Sequence, residues 1–266
     1  MVVKDDEYYK VKECGKIMEV QKSSNVGGRK KKGCIKKISN EQYVVLSTGE
    51  VKEFKRKDDK DEDNARSIRR ALGKCRDIIN TNLVDDDKAI SLTLTYAEIE
   101  NDVKQVGKDF TAFIRRLRNK VGDCEYIYVV ELQKRGSWHI HAILIFDNKA
   151  PFISCEEIEL IWGKGIVDVQ NAKNAMALSL YLTSDVRKDK SGDTKIKGVT
   201  VNNYEKGMKV YRCSRGLKKP TIKYKQGKEI KGELADKELI HEANYEYTAP
   251  NGFHAVVSKN TYQKKI

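Results

Sequence analysis

The chain has 266 residues, with 52 Lys and Arg against 39 Asp and Glu, a formal charge of +13 and a pI near 9.3. That length suits one domain with extensions; the cationic excess suits a phosphate-backbone partner, and a mean hydropathy of -0.65 fits a surface-rich nucleic-acid-binding chain better than a large-cored metabolic enzyme. Six cysteines stand far apart with no C-x-x-C pair, which excludes a zinc knuckle or a small disulfide framework, and the lack of a long apolar run excludes a signal or a membrane span and implies a cytoplasmic protein.

Residues 1 to about 60 are rich in Lys and Gly, with a basic run from Arg29 to Lys32. Tyr43 to Phe54 reads as a hairpin turning at Thr48 and Gly49, and Lys55 to Asp63 as a solvated linker or the start of a helix. From Asn64 to Asn80, Ile68, Leu72, Cys75, Ile78 and Ile79 recur at helical spacing while Arg66, Arg69, Arg70, Lys74 and Arg76 take the other faces, predicting a basic amphipathic helix. Ile90 to Tyr96 alternates Leu92 and Leu94 with Thr93 and Thr95, a strand pattern. A second helix is predicted from about Asp102 to Lys120, burying Val106, Phe110, Phe113, Ile114 and Leu117 and exposing Arg115, Arg116, Arg118 and Lys120.

Tyr126 to Gln133 and residues 138–146 read as two strands joined by a short Gly-containing loop, an antiparallel hairpin. Ser154 can cap a short helix over Glu156 to Trp162, with Glu157 as its capping-box partner and Gly163 and Gly165 at its end. Ile166 to Val169 is a brief strand, and Asn171 to about Ser184 a helix carrying Ala175, Leu178, Tyr181 and Leu182 on one side. From about Thr200 the tail reads as β-rich and strongly basic, most of all over Lys206 to Pro220. The order β-α-β-β-α-β-α predicts an α+β domain: an antiparallel sheet with helices mainly on one face.

His139 and His141 are two of only four histidines. On a strand they project from one face, about 6.6 Å apart along the chain, so a single ion can bridge them. A carboxylate added to two imidazoles gives three ligands with open positions, which is what a metal needs to grip a phosphodiester oxygen. Glu131 is the best third ligand and Gln133 the alternative. Residues directly opposite in an antiparallel hairpin share a face, so a four-residue loop would turn Glu131 away from the histidines, whereas an odd loop or a bulge at Gly136 would align them. Tyr181 is a candidate nucleophile whose phenol needs a nearby metal or base to favour phenolate; its spacing alone equally suits packing on the apolar stripe.

Three segments in register, Ser91-Leu-Thr-Leu-Thr-Tyr96, Glu131-Leu-Gln-Lys-Arg-Gly-Ser-Trp-His-Ile-His-Ala142 and Leu178-Ser-Leu-Tyr-Leu-Thr183, resemble the motifs of the HUH-endonuclease rolling-circle replication initiators. The likeness is to the Rep proteins of Gram-positive plasmids, phages and integrative elements. It extends over roughly residues 40 to 220 through Asp109-Phe-x-x-Phe-Ile-x-Arg-Leu117, Lys149-Ala-Pro-Phe-Ile153, Trp162-Gly-x-Gly165 and Tyr211-Arg-Cys-Ser-Arg-Gly216. The resemblance implies a ferredoxin-like or RRM-like sheet and a Mg²⁺ or Mn²⁺ ion on the histidine pair. It also implies a tyrosine that nicks and joins single-stranded or melted origin DNA through a 5′-phosphotyrosine, leaving a free 3′-OH. Domain limits follow: a basic N-terminal extension with a β-hairpin at 1–62, the endonuclease domain at 63–200 and a basic C-terminal extension at 201–266.

One departure matters. Such relatives commonly carry two tyrosines four apart in the third motif, with lysines three residues on; here Ala177 stands at the first tyrosine position, and Leu180 and Ser184 at the lysine positions. Two readings stay open: Tyr181 serves alone, or the nucleophile is lost and the chain is a catalytically deficient DNA-binding homologue. A relaxase or transposase with the same chemistry is a further alternative. Arg115, Arg116, Arg118, Arg135, Arg212, Arg215, Lys218 and Lys219 are the expected DNA-binding residues. The chain has no G-x-x-x-x-G-K-[ST] segment, so unwinding and synthesis would fall to a host helicase and polymerase; a homodimer is compatible with the sequence, and no membrane partner is expected.

Overall fold

A computed structural model describes residues 1–24, 35–39, 41–53, 60–172, 179, 204–248 and 254–265. The first strands are β1 (Tyr8–Cys14) and β2 (Ile17–Ser23), followed by a three-stranded meander of β3 (Ile35–Lys37), β4 (Gln42–Val45) and β5 (Val51–Glu53). The expected hairpin is β4–β5, with Gly49 at φ +72° in its turn. The periodic apolar residues then form α1 (Lys60–Asn82), which buries Ile68, Leu72, Cys75 and Ile79.

β6 (Ala89–Thr95) leads to α2 (Val103–Val121), whose amide at Lys104 is capped by the Asp102 side chain and which buries Val106, Phe110, Phe113, Ile114 and Leu117. The hairpin β7 (Glu125–Leu132) and β8 (Trp138–Ile145) follows, then α3 (Cys155–Trp162) and β9 (Val167–Asn171). The Ser154–Glu157 capping box of α3 is present in both halves, and Gly163 ends the helix in the left-handed region. β10 (Tyr211–Cys213), β11 (Thr221–Gln226), the short helix α4 (Gly227–Glu233), β12 (Lys237–Thr248) and β13 (His254–Lys264) complete the chain. The helix expected from Asn171 to Ser184 falls almost wholly outside the described residues.

The central sheet has the order β10-β7-β8-β6-β9, every neighbour antiparallel. Within it β6-α2-β7-β8-α3-β9 is the split β-α-β pattern of a ferredoxin-like α+β domain. Helices α2 and α3 cover one face: Phe110 of α2 lies 4.1 Å from the Tyr128 ring, and Trp162 of α3 meets Tyr96 and Phe113 edge to face. Gly165 lets the α3–β9 connection press onto the end of β6. Its φ is +150°, and a Cβ there would stand 2.3 Å from the Thr95 carbonyl oxygen, so only glycine fits.

The first and last parts of the chain share a second five-stranded sheet, β11-β1-β2-β13-β12. Its own small core joins Val3, Tyr9, Val11, Met18 and Val20 to Ile230 of α4. Lys12 ties this sheet to α1 by ion pairs to Asp77 at 2.7 Å and to Glu19 at 2.6 Å, and Glu19 also holds Lys259 at 2.5 Å. Among the described residues no helix is long and apolar enough to cross a membrane.

Candidate metal centre and basic surfaces

β7 and β8 pair up to Leu132 and Trp138, leaving residues 133–137 as a five-residue loop. The Gln133 amide donates to the Ser137 carbonyl and the Gly136 amide to the Gln133 carbonyl, both at 2.9 Å, with Gly136 at φ +83°. Because the loop is odd, Glu131 stands directly opposite His139 and Val129 opposite His141, which puts Glu131 and both imidazoles on one face. It is the face away from α2, since the alternating residues Tyr126 and Tyr128 are the ones stacked on Phe110.

The three side chains converge. Glu131 Oε2 accepts from His139 Nε2 at 3.0 Å and from His141 Nε2 at 2.9 Å, and the imidazole centroids are 4.4 Å apart. Burial works against the Glu131 charge, but the two histidine hydrogen bonds outweigh it and hold its pKa down at about 2. The far ring nitrogens are held as well: the Gln133 amide lies 3.2 Å from His139 Nδ1, and the Thr93 hydroxyl 3.2 Å from His141 Nδ1. Arg135 Nε donates to Gln133 Oε1 at 3.0 Å, which turns the amide nitrogen toward His139. Both rings therefore carry their proton on Nε2 and aim it at Glu131.

These donors fit a divalent cation. One ligand atom from each residue lies within 4.8 Å of the others, and the 2.9 and 3.0 Å nitrogen-to-oxygen separations match neighbouring corners of an octahedron with bonds of about 2.1 Å. Ligation through Nε2 requires the proton to sit on Nδ1, so Gln133 would present its oxygen and Thr93 would accept. Gln133 is thus placed as an orienting group, and Glu131 is the oxygen that converges with the imidazoles. Thr93 was visible in the sequence only as a strand residue; its alternation with Leu92 and Leu94, once β6 is paired with β8, puts it beside His141.

The basic residues divide. Arg116 donates to the Ile161 and Trp162 carbonyls at 2.9 and 3.2 Å, at the C-terminal end of α3, and Arg118 donates to the Cys124 carbonyl and lies over the Tyr126 ring. Arg135 donates to the Tyr96 and Ala97 carbonyls. All three guanidiniums are thus engaged in holding loops. Arg115, Arg215, Lys218 and Lys219 are exposed and Arg212 is half-buried. Tyr181 and Ala177 lie outside the described residues.

Residues 89–190 match the family model of the replication-associated protein ORF2. The matched segment contains the whole Glu131–His139–His141 cluster and supports a replication protein of the rolling-circle kind. No curated protein matches the chain.

Proposed function

We propose that residues 63–200 are an HUH-type endonuclease domain that nicks and rejoins single-stranded origin DNA at the start of rolling-circle replication, flanked by the basic extensions 1–62 and 201–266. The observation that carries this reading is the convergence of Glu131 Oε2 on both histidine Nε2 atoms at 2.9–3.0 Å. Glu131, His139 and His141 would hold Mg²⁺ or Mn²⁺, with Gln133 and Thr93 fixing the rings. When bound, that ion supplies Lewis-acid polarisation of a phosphodiester oxygen. The oxygen of Tyr181 attacks phosphorus and the bond from phosphorus to the 3′ oxygen breaks. The 5′ phosphate stays on the tyrosine, and the 3′ oxygen leaves as a hydroxyl with the proton the tyrosine gives up. Rejoining is the reverse, and exposed cations hold the strand.

Cleavage of candidate origin oligonucleotides with Mn²⁺, read on denaturing gels, tests the proposal. His139→Ala with His141→Ala should abolish nicking and leave DNA affinity nearly unchanged, because affinity comes mainly from phosphate contacts; undiminished nicking would contradict it. Ala177 favours a second reading, a DNA-binding homologue without its nucleophile. Gain of cleavage in Ala177→Tyr, where the natural chain has none, would select that one.

A further inference from the structure

Arg212 leaves the edge strand β10 opposite Tyr128 and crosses the sheet edge onto α2. It lies over Gly107 so closely that a Cβ there would stand 1.9 Å from its Nη1. Gly107 sits mid-helix, where glycine is a poor choice for the helix itself, so the close approach of the guanidinium accounts for it. Arg212 also lies beside the Tyr128 hydroxyl, where its charge opposes the upward push that burial gives the phenol. Around it Lys104, Lys108 and Arg115 line a groove with Thr111. Lys104, Lys108 and Arg115 fall on one stripe of α2, about 16 Å long. Among the described residues none of these four cations is paired with a carboxylate. The groove continues past Lys104 and Arg212 to Lys206, Lys209 and Gly136, with Glu205 on its wall, and so reaches the β7–β8 loop that follows Glu131.

We infer that this groove is a second, non-catalytic phosphate track, on the α2 side of the sheet, which binds the DNA backbone flanking the cleavage site. Arg212 is its fixed anchor, seated by Gly107 and Tyr128, and Lys104, Lys108 and Arg115 extend it along the helix. Unsatisfied cations in line, one of them immobilised, suit a repeating anion rather than a single small one. The inference rests on the nucleic-acid reading above but not on the nicking chemistry.

Fluorescence anisotropy of the full chain with labelled DNA of arbitrary sequence, single-stranded in one arm and duplex in the other, over a range of salt, tests it. Gly107→Ala keeps every charge and displaces only Arg212. It should weaken binding roughly tenfold, as Arg212→Met does, and the two should not add, because both act on the same guanidinium. Each should lower the salt slope by about 0.7 on a single strand or about 0.9 on a duplex for every phosphate that is no longer neutralised. The arm with the larger drop in affinity identifies the form of DNA held. Lys104→Glu with Lys108→Glu should lower affinity further, and His139→Ala with His141→Ala should not. Wild-type affinity in both Gly107→Ala and Arg212→Met would overturn the track. A chain that binds through Arg212 yet never nicks would overturn the nuclease reading alone.

Discussion

Replacing Gln133 with Ala removes the amide 3.2 Å from His139 Nδ1 and the acceptor 3.0 Å from Arg135 Nε, while His141 keeps its Thr93 partner. Groups that orient a ligand from behind are worth roughly 10–100-fold in metal affinity, or about 1.4–2.7 kcal/mol at 1.36 kcal/mol per decade. Only one of the two imidazoles is released, so Mn²⁺ affinity should fall by about tenfold, the lower end of that range. Glu131→Ala removes a donor together with the acceptor of both Nε2 atoms and should take binding below detection. Gln133→Glu should recover the loss, because a carboxylate accepts Nδ1–H without having to turn. The assay is calorimetric titration of the metal-free protein with Mn²⁺ at fixed pH, with thermal melts to show that each variant folds. Should Gln133→Ala abolish binding as completely as Glu131→Ala, Gln133 is a ligand and the division of roles is wrong. Unchanged affinity in Gln133→Ala would refute its orienting role.

Gly165→Ala should destabilise the fold by about 2 kcal/mol or more, since both its φ of +150° and the Thr95 carbonyl 2.3 Å from a Cβ exclude a side chain; chemical denaturation measures it, and a loss under about 0.5 kcal/mol would contradict the packing described. Trp162→Ala, which empties a fully buried site and strips the Thr95 carbonyl of its indole donor at 3.1 Å, should lose about 3–5 kcal/mol by the same assay. Burial raises the Glu19 carboxyl's pKa, but Lys12 and Lys259 outweigh it and hold it below the ordinary 4.5. A depressed pKa stabilises the folded chain above 4.5, and that contribution is lost as pH falls through the lower folded value. Thermal melts should therefore show wild type losing stability more steeply through the acid range than Glu19→Gln; parallel profiles would refute the assignment.

What the sequence disclosed depended on how local the cause was. Helix α2 and strand β6 follow from apolar residues at periods of 3.6 and 2, and α3 from Ser154 and Glu157, so their placement came out within a residue or two. The shared face of Glu131 and His139 reduced to one parity question about the loop, and five residues at 133–137 answer it. The pairing of β2 with β13 was illegible, because Val20 and Asn260 meet across the whole chain and nothing near either residue encodes the other. The same limit applies to Arg116, Arg118 and Arg135. A surface-facing arginine on a helix or loop reads as a free cation until the fold brings a carbonyl to it, as Ile161, Cys124 and Tyr96 do here. Lys104 and Lys108 gained meaning only once Arg212 was seen lying across Gly107.

The most direct test of the proposed chemistry is to trap the chain on single-stranded origin DNA with Mn²⁺, digest it, and identify by mass spectrometry the peptide that carries the 5′ phosphate. A nucleotide on Tyr181 is expected, absent in Tyr181→Phe and in His139→Ala with His141→Ala. Cleavage that leaves no protein–DNA adduct, or an adduct on another residue, would contradict a tyrosine nucleophile at position 181.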